Sequence, residues 1–142
     1  MHEFNSIQEV LNQLFEDMNI NVINIPGSPY PWFIVDEIRK ALGYVRDNFD
    51  FTKNLNFRDQ VIAVLNLSNI TQINNPMNHG LMNYIKSLSP KARNFMIISL
   101  PGLFELLLKS RMPKAKELQH WLYFTVLPTL YHFNQQQLNK QI

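Results

Sequence analysis

The sequence contains no cysteine, so disulfides and thiolate metal sites are closed to it, which is compatible with a reducing compartment. Glycine is scarce: four residues in 142, none in a Gly-rich phosphate cradle or a Gly-x-Ser-x-Gly elbow. No apolar stretch reaches the length of a membrane span, and the opening MHEFNSIQEV is acidic and amphipathic where a signal peptide is basic and then apolar. Lys and Arg are absent from residues 1–38, which hold six acids: Glu3, Glu9, Glu16, Asp17, Asp36 and Glu37. Acids are scarce afterwards: residues 39–142 carry all 13 Lys and Arg against five acids, a net of +8. The four histidines (His2, His79, His120, His132) lack metal-ligand spacing, and the lone Glu117-x-x-His120 is half of what a di-iron site needs. Asp47, Asp50 and Asp59 read as caps and loop residues. No catalytic residue, metal ligand or cofactor is assigned, and an enzyme is not expected.

What is present suits one domain with a real core: 142 residues, 46% apolar. The stretch over 95–133 carries much of the apolar mass. Its first residues, Phe95 to Ile98, read as a buried strand. Ser99 followed by Pro101 is a helix-start signal, since the hydroxyl can accept from an orphan amide and proline lacks one. Lys109, Ser110 and Arg111 break the apolar run, and Pro113 can open a second helix. Ala115, Leu118, Trp121, Leu122, Thr125 and Val126 share one face of it, and Pro128 should kink or end it. Two helices are thus expected, near 101–110 and 113–133, joined at a basic elbow with Ser110 as a cap.

Ahead of that stretch, Ser6 and Glu9 form a capping box for an amphipathic helix over 6–18, with Ile7, Val10, Leu11, Leu14, Phe15 and Met18 on one face. That face would cover the chain's own core or a second copy. Residues 19–25 read as a strand, Pro26-Gly27-Ser28-Pro29 as a turn, and Trp32-Phe33-Ile34-Val35 as the returning strand. Asp36 is placed to cap a helix ending at Leu42 with Gly43 as its left-handed exit, Ile38, Ala41 and Leu42 inward and Arg39 and Lys40 outward or sideways. A short helix over 47–55, a strand over 60–67, an Asn-rich loop over 68–83 and a basic turn at 89–94 follow. Residues 134–142 form a polar tail, read as a frayed helix end or linker.

Three ordered motifs resemble the BRO N-terminal (Bro-N) domain family of insect-virus BRO proteins and phage antirepressor-like proteins. The first is Pro31-Trp32-Phe33, Asp36-Glu37-Ile38 and Ala41-Leu42-Gly43-Tyr44. The second is Ile98-Ser99-Leu100-Pro101-Gly102-Leu103-Phe104 with Lys109-Ser110-Arg111-Met112-Pro113-Lys114-Ala115. The third is Leu118-Gln119-His120-Trp121-Leu122 with Val126-Leu127-Pro128. The division is an N-terminal helix over 1–19, a Bro-N-like domain over 20–133 and the tail over 134–142. The resemblance implies DNA binding in a viral or mobile-element regulatory protein. It also implies an intracellular setting: host nucleus or cytoplasm if viral, bacterial cytoplasm if phage-derived.

The expected fold class is α+β: a small, mostly antiparallel sheet with packed helices, two C-terminal helices closing the core. DNA is the first expected partner. Candidate phosphate-binding residues are Lys109, Arg111, Lys114 and Lys116 at the elbow, Lys91 and Arg93 in the basic turn, and Arg39, Lys40 and Arg46 around the first core helix. Arg111 offers a bidentate fork, and Lys114 sits by a helix N-terminus that itself favours an anion. Each of these side chains alone also fits a plain solvated charge. Trp32 and Trp121 are read as core, not as base-stacking platforms. The competing reading is a protein-interaction module of antirepressor type, with the 6–18 helix as the homodimer or host- or viral-partner surface.

Overall fold

A computed structural model describes residues 6–44, 52–66 and 94–140. Over these residues the protein is α+β. Helix α1 spans Ile7–Asp17, strand β1 Trp32–Ile34, helix α2 Val35–Leu42 and the single turn α3 Arg58–Val61. Strand β2 spans Ile62–Asn66, strand β3 Asn94–Ser99, helix α4 Leu100–Lys109 and helix α5 Pro113–Trp121. A π-helical turn over Leu122–Val126 then leads into helix α6, Leu127–Lys140.

Strand β3 is the centre of the sheet, flanked by β1 and β2, both antiparallel to it. This apolar run lies between two partners, as its composition requires. Phe33 pairs with Ile98 and Ile62 also pairs with Ile98, so these three share the face beneath the helices. On the opposite face Ile34, Ile97, Leu65 and Ile23 form a smaller buried cluster. Ser99 ends β3 and starts α4: its hydroxyl accepts from the Gly102 amide at 3.5 Å. A Cβ at Gly102 would stand 2.7 Å from Ile98 Cγ1 and 2.8 Å from Val61 Cβ, so only glycine lets α4 approach the sheet this closely.

Helix α1 belongs to this core. Ser6 accepts from the Glu9 amide at 3.2 Å, and Val10, Leu11 and Phe15 are buried. The Phe15 ring lies 4.6 Å from that of Phe33 and meets Trp121 edge-on at 5.1 Å. The apolar face expected to cover either the core or a second copy is therefore occupied by the chain's own core; only Ile7 and Met18, at its two ends, remain exposed.

Several boundaries differ from expectation. The strand expected over 19–25 is reduced to one bridge, Ile23 to Trp32, with its two hydrogen bonds at 2.7 and 2.9 Å. The first half of that stretch is used to close α1: Asn19 turns left-handed (φ 60°), and its amide and that of Ile20 return to Glu16 and Phe15 carbonyls. The turn follows as expected, closed by the Ser28 amide on the Ile25 carbonyl. Helix α2 begins two residues early, at Val35 with Ile34 as its uncapped N-cap, so Asp36 sits in the first turn and is not the cap. The strand expected from 60 begins at Ile62, because the Gln60 and Val61 amides both bond to Phe57 in a helical turn. Of the short helix expected over 47–55, residues 52–55 form a turn; 45–51 and the loop and basic turn within 67–93 lie outside the described residues.

The last correction concerns the C-terminal helix, which neither ends at Pro128 nor frays after 133. It runs on to Lys140. Leu127 bonds back to Leu122, five residues away, so the π turn widens the helix just ahead of the proline that lacks a donor. The extra residue rotates the faces: Ala115, Leu118, Leu122 and Val126 are buried, but Thr125, expected beside them, is exposed.

Candidate nucleic-acid interface

The elbow between α4 and α5 is built around Ser110. Its amide closes α4 on the Leu106 carbonyl at 2.9 Å, and its hydroxyl accepts from the Met112 amide at 3.2 Å. The same hydroxyl meets the Tyr44 hydroxyl at 3.0 Å. Ser110 is buried and serves as the expected cap. From α5, the Gln119 side chain donates to the Leu107 carbonyl, taking up an acceptor that the end of α4 leaves open. Pro113 occupies the first turn of α5, where a missing amide costs nothing.

Tyr44 links the elbow to the C-terminal end of α2. Gly43 takes the left-handed exit (φ 87°), and the Tyr44 amide returns to the Arg39 carbonyl at 3.1 Å. A Cβ at Gly43 would lie 3.5 Å from Lys114 Cδ and 3.6 Å from Met112 Cε. The last turn of α2, which carries Arg39 and Lys40, thus lies against the segment that carries Arg111 and Lys114. Basic residues 71 to 75 positions apart in sequence are brought onto adjoining elements.

Their surroundings differ. Arg111, Lys114 and Lys116 are exposed. Lys109 is exposed but engaged: its ammonium lies 2.9 Å from Glu105 and donates to the Asn54 carbonyl and the Asn56 side chain at 3.2 and 3.1 Å. Glu105 also accepts from the Asn56 amide with both oxygens, at 3.1 and 2.9 Å. The Asn56 amide, with Lys109 second, holds the Glu105 carboxyl below the usual range. Arg39, expected to point outward or sideways, is largely covered: it pairs with Asp36 at 3.0 Å and donates to the Tyr44 carbonyl at 2.8 Å. Lys40 lies 3.3 Å from the same carboxylate. Partial burial alone would raise the Asp36 carboxyl, but hydrogen bonds and charge from Arg39 and Lys40 together hold it below the usual range. Arg46, Lys91 and Arg93 lie outside the described residues.

Sequence reasoning missed the structural use of Lys109. The Glu105-to-Lys109 spacing of four on a helix was its available signal. Trp32 and Trp121 are packed against the two core clusters as expected, Trp32 donating to Ser28 Oγ at 2.9 Å. Among the described residues no three His, Asp or Glu side chains gather as a metal site, and no helix is long and apolar enough to cross a membrane.

Comparison with curated proteins and with solved structures gave no match. The family model described as the BRO family, N-terminal domain, matches residues 19–128, from the end of α1 to the start of α6. All three motifs lie inside that match, and so does the elbow. On this match over most of its length, the chain belongs to the BRO family through its N-terminal domain.

Proposed function

We propose that this chain is a DNA-binding domain of a viral or mobile-element regulatory protein, that it holds DNA largely through phosphate contacts, and that it is not an enzyme. Family membership supports the general reading. The observation that carries the site is the elbow. A buried serine fixes the turn, and the turn presents Arg111, Lys114 and Lys116 to solvent at the start of α5. A helix N-terminus carries partial positive charge and suits an anion. The adjoining turn of α2 adds Lys40, whose carboxylate partner is half-exposed and exchangeable for a phosphate. Lys109 and Arg39 have intramolecular work and act by supporting this surface, not by leading the contact.

The test is anisotropy of a fluorescein-labelled random duplex at several salt concentrations. Log affinity should fall linearly with log salt, by about 0.9 per phosphate contact. The triple variant Arg111→Gln, Lys114→Gln, Lys116→Gln should keep its circular dichroism and lose roughly 2–3 from that slope. No binding at low salt, or binding indifferent to the triple change, would overturn the proposal.

A further inference from the structure

Helix α5 meets the core on one side only. Ala115, Leu118 and, just past its end, Leu122 are buried, whereas Lys114, Lys116, Glu117 and His120 are exposed. Successive residues of a helix turn by about 100°. Lys114 and Lys116, one residue to either side of Ala115, therefore stand on opposite flanks. Glu117 and His120, two and five residues after Ala115, point away from the core and form the ridge between those flanks. Lys114 is on the flank beside α2, where its stem lies near Gly43. The His120 ring rests against Phe124 of the π turn, centroids 4.6 Å apart and planes at 33°, so its direction is held. Glu117 makes no hydrogen bond or ion pair among the described residues.

Phosphate contacts alone do not account for Glu117. A carboxylate only accepts hydrogen bonds and repels phosphate, yet it stands on the outermost ridge of the basic helix. Nor can the phosphates of one strand take Lys114 and Lys116 together, since side chains about 200° apart face opposite ways. A helix lying in a groove meets both conditions, because phosphates wall it on both sides and base edges line its floor. We propose that α5 lies along the major groove of DNA, with Lys114 and Lys116 on the phosphates of the two strands and Glu117 reading a cytosine between them. The major groove, about 12 Å wide, admits a helix, and the minor groove, about 6 Å wide, does not. Its donors are the amines at cytosine N4 and adenine N6. Adenine sets its N7 acceptor beside the amine, which leaves cytosine as the partner of a carboxylate. The short turn over Ser110, Arg111 and Met112 suits this placement, since the first turns of the second helix are the part that reaches base edges in helix-turn-helix proteins. His120, further along the ridge, offers a donor to guanine N7 or O6. The inference rests on the DNA-binding reading above and adds to it the groove and a base.

Selection by the full chain from a pool of duplexes with a randomised centre, followed by sequencing, tests it. The wild type should enrich a motif with a fixed cytosine. Replacing that base pair should weaken wild-type binding about fivefold or more by anisotropy. Glu117→Gln should keep the wild-type circular dichroism, since the position is exposed, and should lose the preference. Its amide pairs with adenine N6 and N7, so the selected base should move towards adenine. Lys116→Gln should weaken all duplexes alike and leave the motif unchanged. Were Glu117 a plain solvated charge, Glu117→Gln would tighten every duplex alike and return the same motif; that result would overturn the proposal. A wild type that binds the pool with the expected salt dependence but enriches no motif would also overturn it, while leaving the phosphate reading standing. Absence of binding at low salt would overturn both.

Discussion

Asp36 and Glu37 are neighbours in the first turn of α2 and respond to pH in opposite senses. The Asp36 carboxyl is held low, so what it adds to stability is present above its unfolded-state value and lost as pH falls through the lower folded one. Glu37 is the reverse. Burial raises its carboxyl, against backbone and side-chain hydrogen bonds from Asn21, one of them 2.8 Å to Oε2. Its contribution is complete below the unfolded-state value and lost as pH rises through the raised folded one. At pH 7 the buried Oε1 has no partner among the described residues. Glu37→Gln should therefore raise the melting temperature at pH 7, with the advantage gone below about pH 4; a lower melting temperature at pH 7 would contradict this account. Gly102→Ala tests close packing instead of charge. Alanine gains about 1 kcal/mol over glycine inside a helix. Overpacking costs about 1–3 kcal/mol and should win, because Val61 Cβ, 2.8 Å away, is tied to the backbone and cannot swing aside. A lower urea midpoint, with unchanged denaturant slope, is the expected result.

At the scale of elements, the elbow shows what one polar residue does between two helices. Ser110→Ala removes the acceptor of the Met112 amide and the hydroxyl that Tyr44 meets at 3.0 Å, and should cost about 1–2 kcal/mol in a chemical denaturation. Tyr44→Phe leaves Met112 capped and should cost less; equal losses would mean that the cap is not the important bond. Both helices of this elbow were legible in the sequence because local chemistry marks them: Ser99 and Pro101 open α4, and Pro113 opens α5. Element edges decided by distant partners were not. Nothing local says that the amides of Asn19 and Ile20 would turn back to close α1 instead of joining a strand. Nor does the sequence near Pro128 reveal that a π turn would let the helix continue, which moved Thr125 off the buried face.

At the scale of the whole molecule, the basic elbow was legible as a cluster in sequence, but its division of labour was not. Lys109 and Arg111 are two residues apart, yet one is bound to Glu105, Asn54 and Asn56, and the other faces solvent. That difference depends on a segment some 50 residues upstream, beyond the reach of any periodicity. The same holds for α1, which lies outside the family match at 19–128 but inside the core. Phe15 is 1% exposed and joins Phe33 of the sheet to Trp121 of α5, so it bridges the earliest and latest parts of the fold. Phe15→Ala should cost about 3–5 kcal/mol, a large part of the 5–15 kcal/mol typical of a domain this size. Removing residues 1–18 goes further, because it uncovers Phe33 and Trp121 together and takes away Val10 and Leu11. A fragment over 19–142 should lose cooperative thermal unfolding and expose apolar surface to a hydrophobic dye. If that fragment instead melts in one sharp transition near the full chain, then α1 is an appendage and the core closes without it.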